Sequence, residues 1–201
     1  MKDADLQVQI SELKRILKTN PNIGLILDGL EKIGIKDYYL AGGCITQTVW
    51  NYLHGYEADA NIKDYDVAYY EQDDSYEAED GVIRAASASL SSLDISVELR
   101  NQARVHIWYE GRNGKPAPKY ESAAAGINSW PVTACCIGVR KNSDGLKVYA
   151  PFGLNDLFGL IIRPNKVVAP EKVYDNKLSR WTKVWPKLKV IPWSDVSESI
   201  K

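Results

Sequence analysis

Long apolar runs are missing from this sequence. Its longest, such as residues 38–41 and 134–139, fall far short of the roughly 20 residues that a helix needs to cross a bilayer, so a helical membrane protein is excluded. The first ten residues, MKDADLQVQI, are polar and helix-like. They lack the apolar core of a secretion signal and predict a chain that stays in the cytoplasm. Cysteine is scarce, with only Cys44, Cys135 and Cys136. Neighbours on a strand point to opposite faces, so Cys135 and Cys136 make neither a metal clamp nor a disulfide. Reduced, buried thiols are the expectation. No excess of either charge is present, with 25 Lys and Arg against 26 Asp and Glu. That balance argues against a dedicated nucleic-acid binder. Repeats, low-complexity tracts and linkers are also missing. One domain over residues 1–201 is therefore expected: N-terminal helices over 1–36, a core over 37–110, and a hairpin and helices over 111–201 packed on that core.

The charge that is present is unevenly spread. Acids crowd residues 59–80, where Lys63 is the lone base, and bases dominate after Arg163. A site for a metal-bound triphosphate needs both signs. Apolar spacing predicts helices over residues 4–18 and from Pro21 to a stop at Gly34. A short strand follows over 38–41, then Gly42-Gly43, then a helix carrying Ile45, Val49, Trp50 and Leu53 up to His54-Gly55. Further strands are expected over 65–70 and 95–99, with a helix over 75–91 between them. A hairpin is expected from 133–140 and 146–150 across a turn at 142–145, with helices over 154–160 and 171–185. The pattern is α+β with one main sheet. The six tryptophans are read as core, because tryptophan buries much apolar area.

Three pieces carry chemistry. Gly42 and Gly43 permit a sharp strand-to-helix turn, whose free N–H groups favour phosphate. Thr46 or Gln47, in the first helical turn, adds a side-chain contact there. Asp64 and Asp66 are two residues apart at the start of a strand, so both carboxylates share one face. Carboxylates that close repel each other, and two oxygen ligands completed by substrate phosphates is how magnesium is usually held. Glu98 sits between apolar neighbours on what reads as a central strand. A glutamate there is either metal-bound or salt-bridged to Arg100 or Arg104. Arg104 and His106 share a face if that strand runs on, and would line a triphosphate or acceptor pocket or join a structural hydrogen-bond network. His54 reads as a helix C-terminal cap and Asp156 as a helix N-terminal charge. Arg180 and Lys183 either reach toward a triphosphate or lie on a solvated helix face.

A glycine pair at a helix start, a later Asp-x-Asp on a strand and a third acid in a further strand resemble the polymerase-β-like nucleotidyltransferases. The blocks LAGGCITQTVW (40–50), IKDYDVAYYE (62–71), VELRNQARVHIWY (97–109), SWPVTACCIGVR (129–140), APFGLNDLFGLIIRPN (150–165) and WTKVWP (181–186) more closely resemble a small bacterial group of nucleotidyltransferase family proteins. The interval from Gly43 to Asp64 is about twice that usual in the wider superfamily. The resemblance implies a central mixed sheet flanked by helices. It also implies transfer of a nucleoside monophosphate from a nucleoside triphosphate, with Mg2+ or Mn2+ as cofactor. The acceptor is left open among a small molecule, a protein side chain and an RNA end. Asp64, Asp66 and Glu98 would be the catalytic and metal-holding acids, and Gly42, Gly43, Thr46 and Arg104 the nucleotide contacts. The alternative is an inactive binding or regulatory protein on the same fold.

Overall fold

In the computed structural model, which describes residues 1–143 and 145–197, the chain opens with two capped helices. In α1 (Leu6–Leu17) the Asp5 carboxylate accepts from the Gln7 N–H, and in α2 (Pro21–Lys32) Asn20 caps a turn begun by proline. Strand β1 (Asp37–Ala41) then runs into α3 (Gly43–His54), which Gly55 ends at φ 74°. Next come β2 (Tyr65–Tyr70), α4 (Tyr76–Ser89), β3 (Val97–Asn101), α5 (Val105–Asn113) and α6 (Ala123–Ile127). Strands β4 (Gly138–Asn142) and β5 (Gly145–Tyr149) form the hairpin. The chain closes through α7 (Asn155–Phe158), β6 (Ile161–Ile162), α8 (Glu171–Val184) and β7 (Lys189–Val190). The sheet is mixed, in the order β3-β2-β1-β4-β5. Only the β2–β3 pair is parallel within it, which the α4 crossover requires.

The period-two alternation of the strands divides the core. One face presents Leu40, Val67, Tyr69, Leu99 and Val139 to the main cluster, together with α1, α2 and α3. There Trp50 of α3 meets Trp181 and Trp185 edge-on, with ring centroids 5.3 and 5.6 Å apart, which pins α8 onto α3. The other face is covered thinly. Tyr39, Ala41 and Ala68 pack against Ile127 and Ala123 of the short α6 and against Cys136. This thin cover leaves room for a pocket on the second face.

Several expectations are corrected here. β3 is an edge strand, not a central one, because β2 has β1 on its other side and, among the described residues, nothing pairs beyond β3. The strand of the hairpin begins at Gly138 rather than at Thr133, since Thr133–Cys135 forms a 3-10 turn. Asp144, in the expected hairpin turn, lies outside the described residues, as do 198–201. The strand ending at Asn101 does not run on to His106, because a 3-10 turn (Gln102–Arg104) leads directly into α5. Asp156 does stand in the first turn of α7, as expected, and its carboxylate also accepts from the Thr133 hydroxyl at 2.7 Å and from Arg163 at 2.8 Å, tying the 133–135 turn to the segment after β6. The three cysteines are free and buried, as expected. Among the described residues, no helix is long and apolar enough to cross a membrane.

Candidate active site

The strand register places the acids. Gly138 of β4, Ala41 of β1, Asp66 of β2 and Glu98 of β3 are successive partners in one row across the sheet. The row belongs to the thinly covered face. Its first two members are small, so nothing rises beside Asp66 from that side. Asp64 stands just before β2, on the same face as Asp66 by the period of two. Asp66 is pushed up to about 6, mostly by burial and then by the charges of Asp64 and Glu98, while Lys177 and Arg100 pull it down.

A cavity of about 430 Å³ opens over this row. Asp64, Asp66, Ala68, Glu98, Arg100 and Gln102 line it from the sheet side. Gly43 and Gln47 of α3 border it, and Lys177, Arg180 and Trp181 of α8 close one flank. Val105, Trp108, Tyr109 and Arg112 form another wall along one face of α5. Tyr120, Gly126, Ser129 and Trp130 complete it. A second cleft, of about 680 Å³, lies between α1, α2 and the hairpin and contains none of these acids. Size therefore does not select the site; the row of carboxylates does.

The glycine turn is built for close approach. Gly42 has φ 68°, and a Cβ there would run into the ring of Trp130. Its N–H is already committed to the Ile137 carbonyl at 2.9 Å, and its carbonyl accepts from the Thr46 N–H. The donors left for a ligand are therefore those of the first turn of α3, from Gly43 onward. Thr46 is fully buried, and its hydroxyl donates to the Ala134 carbonyl at 2.9 Å, away from the cavity. Gln47 is the member of that pair which reaches the cavity.

Glu98 lies at the cavity but on the exposed side of the edge strand, 3.3 Å from Arg100. Arg104 is not brought to the cavity. It forms a nearly buried pair with Glu79 at 2.8 Å, each side chain 13% exposed, and also holds the Asp74 carbonyl. The other Glu79 oxygen accepts from the Asn101 N–H at 2.9 Å. The Asn101 side chain in turn binds the backbone of Glu71 and Asp73. This network stitches the acidic loop to the end of β3 and sets the angle at which α5 leaves. His54 bridges α3 to the C-terminal segment, with Nδ1 2.7 Å from the Trp50 carbonyl and Nε2 accepting from the Lys187 N–H at 3.2 Å. Lys183 does not line the cavity, whereas Arg180 does.

Sequence reasoning singled out neither Lys177 nor the α5 wall. Val105, Trp108, Tyr109 and Arg112 are spaced i, i+3, i+4 and i+7, a helical signal that was present but hidden by the strand directly before it. Lys177 lies four residues before Trp181, so burial of that tryptophan aims the lysine inward, with Nζ 5.0 Å from its ring centre.

The donor set fits a hard divalent cation. Asp64 and Asp66 offer carboxylate oxygens on one face, and the Asp66 carboxyl is raised mainly by burial and then by the neighbouring acids, a charge that a cation would relieve. Among the described residues, no three acids, histidines or cysteines are grouped closely enough to hold a metal by themselves. A cation held there would need further oxygens from a bound ligand.

A mixed sheet with a strand–glycine–helix turn beside an Asp-x-Asp defines a nucleotidyltransferase fold. Among solved structures, the chain is similar to one determined by NMR and described as a CCA-adding enzyme head domain. That match has a TM-score of 0.73 at 24% identity and covers 90% of this chain and 95% of that one. The model of a nucleotidyltransferase family matches residues 28–190, and the chain belongs to that family. No curated protein matches it.

Proposed function

We propose that this protein transfers a nucleoside monophosphate from a nucleoside triphosphate to a hydroxyl-bearing acceptor, with Mg2+ or Mn2+ held by Asp64 and Asp66. The observation that carries this reading is the half-buried Asp66 in one row with Glu98, with Asp64 beside it and Lys177 lining the same cavity. The bound cation would neutralise phosphate charge and acidify the attacking hydroxyl. Lys177 and Arg180 take phosphate oxygens, and the first-turn N–H groups of α3 add a dipolar contact. Glu98, at the open edge and in contact with solvent, takes the acceptor proton. Such sites work mainly by positioning and by stabilising charge.

Calorimetric titration of each nucleoside triphosphate, with and without magnesium, into the wild type and a folded Asp64→Asn, Asp66→Asn variant tests this. Metal-dependent binding by the wild type alone is the expected result. A second reading, a binding or regulatory protein, is favoured by the Glu98–Arg100 contact, which engages the third acid. Nucleotide binding without release of pyrophosphate for any acceptor would select it.

A further inference from the structure

The cavity carries a base that the metal–nucleotide reading does not use. Its lining holds Lys63, Arg100, Arg112, Lys177 and Arg180 against Asp64, Asp66 and Glu98. The bases are not spread evenly. Arg100 is engaged by Glu98, and Lys177 and Arg180 lie on the α8 flank. Arg112 stands apart on the α5 wall, its guanidinium 6.0 Å from the ring centre of Trp108, and it makes no ion pair among the described residues. Tyr109 and Tyr120 extend that wall as an aromatic surface.

We propose that the α5 wall is the acceptor subsite and that the acceptor is a small aromatic molecule bearing a hydroxyl and a carboxylate or phosphate. Its anion meets Arg112 and its ring lies against Trp108 and the neighbouring phenols. This rests on the nucleotidyl-transfer reading. The acceptor oxygen attacks the α-phosphorus and forms the new P–O bond. The bond from that phosphorus to the oxygen bridging to the β-phosphate breaks, and pyrophosphate leaves with the electron pair. The hydroxyl proton passes to Glu98 and on to water.

Two probes that share a ring and a phenol but differ in charge test the assignment: 4-hydroxyphenylacetate and tyramine. Each is titrated into the wild type and into Arg112→Gln by tryptophan fluorescence, and each nucleoside triphosphate with magnesium is titrated into both proteins by calorimetry. The wild type is expected to bind the acid about tenfold more tightly than the amine. Arg112→Gln should abolish that preference and leave nucleotide affinity within about threefold, because an exposed charge at the far wall is screened. Equal or tighter binding of tyramine, or binding of neither probe, overturns the proposal. So does a matching loss of nucleotide affinity in Arg112→Gln, which would make the wall part of the nucleotide site. Failure of the nucleotide reading itself shows separately, as no metal-dependent triphosphate binding by the wild type.

Discussion

At Asp66 the proposed role and stability conflict. Its folded value of about 6 stands above its ordinary 3.8, so the folded state binds the proton more tightly than the unfolded one. Stability from this group is therefore full below about pH 3.8 and is lost as pH rises through about 6. Metal-free Asp66→Asn should be the more stable protein at pH 7.5, by roughly 1–3 kcal/mol, with the gap closing toward pH 4. Chemical denaturation across that range measures it, and a pH-independent gap would refute the assignment. Magnesium with triphosphate should reverse the order. Gly42 makes a second residue-scale case. Gly42→Ala combines a left-handed φ with a collision against Trp130 and should lose about 2–4 kcal/mol. Gly55→Ala has a similar φ and open space, and should lose only about 1 kcal/mol.

At the scale of elements, the Glu79–Arg104 pair holds the end of β3, the acidic loop and the start of α5 together. Arg104→Met strands a nearly buried carboxylate and should lower stability by about 3 kcal/mol. Adding Glu79→Leu should recover much of that loss, and a double-mutant cycle reads the coupling. The β1–α3 turn and β2 could be read because glycine placement and alternation are local signals. The edge position of β3 could not, since the strand's own alternation only reports that one face is buried, and pairing order is decided by distant segments. Arg104 looked like a ligand because a lone arginine near an acid motif fits either role, and its true partner lies 25 residues earlier. Lys177 was visible only as one base in a basic stretch, until the burial of Trp181 fixed the face on which it lies.

For the whole molecule, the division of the sheet into a heavily packed face and a lightly covered one makes ligand binding a stabilising event. Magnesium and a preferred triphosphate together, at about 100 times the dissociation constant, should stabilise the fold by about 2.7 kcal/mol. Either one alone, or both with excess chelator, should shift the melting temperature little. An equal shift from metal-free triphosphate would point to a site run by Lys177 and Arg180 without the carboxylates.

The two helices that flank the cavity differ in how they are anchored. In α8, Tyr174 and Trp181 are buried and Trp181 packs edge-on against the central Trp50, so the bases between them are set by the core itself. In α5 only Val105 is buried, and Trp108, Tyr109 and Arg112 are carried on a helix that little else constrains. Replacing Tyr174 or Trp181 should therefore cost far more stability than replacing Arg112. Divergence among relatives should concentrate on α5: the α8 wall is tied to the scaffold, and the opposite wall is free to change its choice of molecule.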